Sequence, residues 1–147
     1  HCYQHDLQLG LPQEHSQAFD VVICPLTIHY LLDLQPLFDD IARVLKKGGI
    51  FAFSTHHPIV DFADSPSGRY YDTELITQQW NTLGRPETVS YYRRPLSDVT
   101  SAISQANMVI EQLTEGHVPE SLKSRSEHYY ERLTSRPTFL FYRCRHV

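Results

Sequence analysis

The chain has 147 residues, 41% of them hydrophobic and 20% charged, with a formal net charge of −4 and three cysteines. This is one domain's worth of chain with enough apolar side chains for a core, and its slight acidity without a basic block argues against a nucleic-acid footprint. No apolar run approaches the roughly 20 residues of a bilayer span, which argues against a membrane partner, and Cys2, Cys24 and Cys144 are too few and scattered for a disulfide framework, which fits a reducing cytoplasm.

The chain opens on His1 rather than Met and enters at once into Cys2-Tyr3-Gln4-His5, the expected end of a strand. It therefore reads as a piece of a longer protein whose beginning is missing. Asp6 follows, then the turn-prone Gly10-Leu11-Pro12 and a polar loop over Gln13–Ala18. Phe19-Asp20-Val21-Val22-Ile23 has the β-branched pattern of a strand buried on both faces of a parallel sheet. From Asp33 to Lys47, Leu34, Leu37, Phe38, Ile41, Val44 and Leu45 recur at helical spacing and make one apolar face. Asp33 suits the cap, Pro36 falls in the first turn, and Arg43, Lys46 and Lys47 suit the last. Gly48-Gly49 offers a left-handed exit. The apolar Ile50-Phe51-Ala52-Phe53 then predicts a second strand.

Two buried strands joined by an amphipathic helix make a right-handed parallel βαβ unit. Cys24–Tyr30 and Ser54–Pro58 then both emerge at the carboxyl edge of one sheet, where open α/β sheets bind their ligands. Between Ile59 and Arg94, prolines and glycines break any long element while aromatics and arginines accumulate. This stretch, about 59–94, is expected to be a lid or substrate wall with a short helix around Thr73–Trp80. Leu96, Val99, Ile103 and Ala106 predict a helix over Ser97–Ala106. Met108–Thr114 and Thr138–Cys144 read as strands, and Ser126–Leu133 as a short helix.

His29 is a candidate proton acceptor at the carboxyl edge, since an unperturbed imidazole titrates near 6.5; it reads equally as a loop histidine bonded to backbone. His56 and His57 point to opposite faces of an extended segment and chelate one metal poorly, and no paired-ligand spacing is present, so no metal is expected. Cys24 has no Cys-His-Asn spacing that would make it a nucleophile. Tyr70, Tyr71, Trp80, Tyr91 and Tyr92 are candidate substrate-wall rings. Arg93 and Arg94 could pair a substrate carboxylate or phosphate, or a structural carboxylate.

Asp6 before Leu11-Pro12, Phe19-Asp20-Val21-Val22-Ile23-Cys24, Leu26-Thr27-Ile28-His29-Tyr30, and above all the block from Arg43 to Gly49 resemble the second half of class I S-adenosylmethionine-dependent methyltransferases. Later residues, among them His57-Pro58, Tyr71-Asp72, Trp80, Arg94-Pro95-Leu96 and Pro137-Thr138-Phe139-Leu140, resemble a bacterial small-molecule branch of that family. The resemblance implies an α/β fold: part of a Rossmann-like methyltransferase sheet, mostly parallel with an antiparallel last strand, and lacking the first strands. The chain (1–147) would then be the C-terminal portion of a single methyltransferase domain. The family's glycine-rich loop and its acidic ribose ligand have no counterpart here and are expected upstream of His1.

By the same resemblance, Asp6 would bond the adenine amino group, with the backbone of Leu7 beside it, and Cys24, Pro25 and Leu26 would line the cofactor. His57, Tyr71, Trp80 and Arg94 would face the methyl acceptor, a small molecule, and aromatic faces would attract the sulfonium. Methyl transfer from S-adenosyl-L-methionine, with His29 as proton acceptor, is the expected chemistry. The alternatives are another Rossmann-like nucleotide-dependent enzyme, or an inactive fragment acting as an accessory binding module.

Overall fold

Phe19–Cys24 (β1) and Leu45–His56 (β2) pair in parallel, with Val21 opposite Ile50 and Cys24 opposite Phe53, and the helix Gln35–Val44 (α1) connects them. A computed structural model describes residues 2–81 and 84–147. Beyond β2 the chain forms a short helix, Pro58–Phe62 (α2), and a hairpin of Glu74–Trp80 (β3) with Glu87–Arg93 (β4). Then follow the helix Leu96–Gln105 (α3), the strand Met108–Thr114 (β5), two short helices, Ser121–Arg125 (α4) and Glu127–Ser135 (α5), and the strand Phe139–His146 (β6). The main sheet has the order β1-β2-β6-β5. β6 is antiparallel to both its neighbours, so β1, β2 and β5 share one direction and the last strand is inserted against them. This is the mixed, mostly parallel sheet expected from the sequence.

The core lies between one face of this sheet and α1 with α3. Leu37, Phe38 and Ile41 of α1 and Val99, Ala102 and Ile103 of α3 bury themselves against Phe51, Phe53, Leu140, Tyr142 and Cys144. Phe38 sets its ring edge-on to Phe51 at 5.4 Å, and Phe53 stacks flat on Tyr142 at 4.5 Å. Such contacts add packing energy to the burial of large rings. Burial also raises the Cys144 thiol pKa, to about 12. On the sheet's other face β1 is open, with Val21 and Ile23 exposed and Ile23 at 71%, so the expectation of a strand buried on both faces is corrected. β1 is an edge strand here, and no described element covers its outer face. Among the described residues no helix is long and apolar enough to cross a membrane.

Four further expectations change. The helix is shorter than Asp33–Lys47: Gln17 and Ala18 donate their N–H groups to the carbonyls of Arg43 and Val44, and Leu45 turns extended to begin β2. Asp33 still serves the helix start, accepting the Gln35 N–H at 2.9 Å. Gly48 takes φ +78 inside β2 rather than at a helix exit, where two residues of β1 span five of β2. Gly49 is required there as well, since a Cβ would stand 2.8 Å from the Lys46 carbonyl. The short helix around Thr73–Trp80 is instead β3. Its period is two, with Ile76 buried opposite Tyr91 and outward pairs Thr77–Ser90 (2.8 Å) and Gln79–Thr88 (2.6 Å). These cross-strand pairs outweigh the weak helical signal. Finally, Cys2–His5 is not a strand.

Two arginines fasten the loops. Arg43 bonds Asp40 (2.6 Å) and donates to the carbonyls of Leu11 and Glu14 (2.8 Å each), while Asp40 accepts the Leu11 N–H. The Arg43 hydrogen bond is the main cause that holds the Asp40 carboxyl below its ordinary pKa. Arg93 is only 1% exposed and bonds the Glu74 carboxylate and the carbonyls of Arg69, Tyr70 and Asp72, with its guanidinium 5.4 Å above the Phe62 ring. Hydrogen bonds from Ser65 first, and from Arg93, lower the Glu74 carboxyl to about 2.

Phe38 is fully buried between α1 and the sheet. Phe38→Ala is expected to cost about 3–5 kcal/mol of stability, read by urea denaturation at constant m-value. A loss below about 1 kcal/mol would mean that α1 does not pack as described.

Candidate active site

The turn leaving β1 is bonded to the end of β2. Leu26 donates its N–H to the Ser54 carbonyl at 3.0 Å, with Ser54 Oγ at 3.1 Å, and takes φ +47 to do so. The segments after Ile23 and Phe53 therefore lie side by side at the carboxyl edge. The Thr27 hydroxyl closes the turn on the Pro25 carbonyl at 2.8 Å, and a 3-10 turn, Ile28–Tyr30, then buries Ile28 and His29.

His29 is 3% exposed, with Nδ1 3.4 Å from Thr55 Oγ1. Its ring stacks on His56, 3.9 Å between centroids and 18° between planes. Burial first, then His56 and Arg94, drive the His29 pKa down to about 3, so the ring is neutral at ordinary pH. His56 ends β2. Its Nδ1 lies 3.3 Å from Asp61 Oδ2 on α2, but at an angle that makes no hydrogen bond, so this buried nitrogen has no hydrogen-bond partner among the described residues. Tyr91 of β4 donates its hydroxyl to Asp61 Oδ1 at 3.5 Å and sets its ring edge-on to His56 at 4.7 Å. Burial first, then the charges of Asp61 and Asp64, push the Tyr91 phenol pKa upward.

Trp80, at the end of β3, stands 6.0 Å from both the His56 and Tyr91 rings. Its indole donates to Gln78 Oε1 at 2.9 Å, and the Gln78 amide donates to Asp64 at 2.7 Å. His56, Asp61, Asp64, Trp80, Tyr91 and Phe139 help to bound a cavity of about 460 Å³. A gap of about 20 Å³, room for one water molecule, touches His29, Thr55, His56, Asp61 and Arg94.

The other sequence candidates are dispersed. Asp6 is exposed and accepts the Gln8 N–H at 3.0 Å, heading the 3-10 turn Leu7–Leu9, and Leu7 packs on the core. Gly10 closes this turn against α1: a Cβ there would meet Asp40 Oδ2 and, at 3.2 Å, the Pro36 carbonyl in the helix's first turn. Cys24 is half-buried and its thiol pKa is raised by burial, while Pro25 and Leu26 are exposed at the sheet edge. Arg94 is buried and donates to the Leu31 carbonyl. His57 caps α2 and pairs with Glu115 at 3.1 Å, facing a different cavity of about 460 Å³ with Tyr70 and Leu140. Tyr71 is 80% exposed and lines neither of these cavities.

Sequence reasoning passed over Asp61 and Asp64 and weighed His56 only as a metal ligand. The available signal was the run His57-Pro58-x-x-Asp61-x-x-Asp64 just past a strand end, whose three-residue spacing puts both carboxylates on one side of a helical turn. Among the described residues no group of three His, Cys, Asp or Glu is placed to hold a metal ion.

A methyltransferase-domain family matches residues 2–53. No curated protein sequence matches the chain. The fold is similar to that of a proposed S-adenosylmethionine-dependent methyltransferase of Listeria monocytogenes, at 21% identity and a TM-score of 0.75, covering 90% of this chain and 64% of that one. An S-adenosylmethionine-dependent methyltransferase of Mesorhizobium loti is similar at 25% identity and a TM-score of 0.75, over 96% of this chain and 67% of that one. The geranyl diphosphate C-methyltransferase of Streptomyces coelicolor shares the fold at 14% identity and a TM-score of 0.56, over 95% of this chain and 52% of that one. The chain thus spans about two thirds, or less, of the length of these structures. Residues 2–53 match a methyltransferase-domain family, and the chain has the fold of the corresponding part of class I S-adenosylmethionine-dependent methyltransferases.

Proposed function

We propose that the chain is the C-terminal portion of a methyltransferase domain that transfers the methyl group of S-adenosylmethionine to a small molecule. The observation that supports this most is the pairing of Leu26 with Ser54, which puts two ligand-facing turns on one edge of a methyltransferase-type sheet. The residues present suit the adenosine side of that cofactor. Asp6 is exposed, with one oxygen engaged by Gln8, so the other is open to an adenine amino group. Leu7, Cys24, Pro25 and the exposed Leu26 offer backbone and apolar surface for the ring. When bound, the cofactor supplies a methyl group on a positively charged sulfur.

The acceptor belongs in the cavity at His56. In the S. coelicolor enzyme the substrate is a small molecule, geranyl diphosphate, which supports an acceptor of that size class. The segment about 59–94 acts as its wall, with Trp80 and Tyr91 excluding water and holding the acceptor in line. His56 is the better proton acceptor of the stacked pair. Among the described residues nothing hydrogen-bonds its Nε2, and Asp61 stands behind Nδ1 to stabilise the imidazolium. His29, neutral and buried, fixes the His56 ring by stacking rather than taking the proton itself. Arg94 holds the Leu31 carbonyl and so shapes the loop carrying His29. His57 and Tyr71 remain candidates for the acceptor's far end. Three free thiols, including one on the surface, support a reducing cytoplasmic setting.

Calorimetry with S-adenosylmethionine tests the cofactor assignment. Weak binding is expected from these 147 residues alone, and tighter binding from a longer polypeptide with a glycine-rich turn upstream of His1. In the longer polypeptide, Asp6→Ala should weaken binding about tenfold. Equal affinity in the two polypeptides would refute the division of the cofactor site proposed here.

The state of His29 is tested by pH. Its folded pKa of about 3 lies below the unfolded value of 6.5, so unfolding takes up a proton between these limits and stability rises with pH across that window. On lowering pH from 6.5 to 4.5, the denaturation midpoint of the native sequence should fall further than that of His29→Asn. Equal falls would mean that His29 titrates normally in the folded chain.

A further inference from the structure

The cavity beside His56 combines two kinds of wall. Trp80, Tyr91 and Phe139 contribute aromatic rings, and Asp61 and Asp64 contribute carboxylates. Asp61 is only 7% exposed, yet its described neighbours are a phenol at 3.5 Å and an imidazole nitrogen at 3.3 Å whose geometry makes no hydrogen bond. Neither carboxylate pairs with a lysine or arginine among the described residues. Arg132 also borders the cavity, but it is exposed and its guanidinium lies over the Tyr129 ring at 5.2 Å.

A buried carboxylate without a cation is costly, because the low-dielectric surroundings withhold the solvation that water would supply. Ring faces carry negative charge density and favour a cation over a neutral group of the same shape. Both walls therefore select for one chemistry. The Gln78 bridge from Trp80 to Asp64 fixes the indole and one carboxylate relative to each other, so their geometry is set before a ligand arrives. The upward push of Asp61 and Asp64 on the Tyr91 phenol reports the same negative field inside the cavity.

We propose that this cavity binds a small organic amine in its protonated form, with the ammonium against Asp61 and Asp64 and the carbon skeleton between Trp80, Tyr91 and Phe139. The identification of this amine as the methyl acceptor, its nitrogen becoming nucleophilic once the ammonium has passed a proton to His56, rests on the methyl-transfer reading above; the binding itself does not.

Calorimetry on the chain without S-adenosylmethionine, using phenethylamine, 2-phenylethanol and phenylacetate as probes, separates the two. Phenethylamine is expected to bind about tenfold more tightly than the isosteric alcohol, and phenylacetate not to bind. Asp64 is exposed, so Asp64→Asn should fold, lower the amine affinity about threefold to tenfold, and leave the alcohol unaffected. Trp80→Leu should weaken the amine similarly. Equal binding of amine and alcohol, tighter binding of phenylacetate through Arg132, or no binding of the amine would each overturn the proposal. Amine binding without S-adenosylmethionine binding in the longer polypeptide would keep this site and discard the methyl-transfer reading. Cofactor binding without amine binding would do the reverse.

Discussion

The parallel register of β1 against β2 is the constraint from which the rest of the molecule follows. It sets Cys24 opposite Phe53, and the Leu26–Ser54 hydrogen bond carries the pairing one step past the strand end. Only with that bond in place do the two outgoing turns run together, bringing His29 from one against His56 from the other. Leu26 accepts a left-handed backbone, unusual for a leucine, to make it. Backbone strain of this kind is tolerated where the surrounding contacts over-determine the geometry, and here they include the fully buried Ile28 two residues on.

A second anchor holds the wall opposite. Arg93 is buried to the tip, and its guanidinium collects the carbonyls of the 69–72 loop together with Glu74. This places the β3–β4 hairpin so that Trp80 and Tyr91 stand over His56. Burying that arginine is tolerable because a carboxylate and several carbonyls satisfy its donors. The contrast with Asp61 is informative. Arg93 is saturated with partners and structural, whereas Asp61, also buried, is left short of them beside a cavity.

Particular residues show how far the sequence could be read. The stripe from Leu34 to Val44 is a helix because its spacing matches the helical period and nothing else. Met108–Thr114 and Phe139–His146 are strands because they are short, β-rich and unbroken. The stretch Glu74–Trp80 misled because its alternation, with only Ile76 buried deeply, becomes visible once Tyr91 is known to lie across from it. The helix end misled for a related reason. Lys46 and Lys47 suit a last turn, but the preceding carbonyls are taken by Gln17 and Ala18, residues distant in sequence.

By itself the sequence determined the βαβ unit, the family it resembles and the sheet edge at which the two outgoing turns meet, because these depend on local periodicity and short motifs. Tertiary structure alone decided which polar groups meet there. His29 becomes a neutral, stacked ring through burial and the nearness of His56 and Arg94, and Asp61 comes to line the candidate cavity only because α2 folds it back onto the end of β2. Burial and charge proximity are sums over neighbours that the chain brings in from remote positions, and no local pattern encodes such a sum.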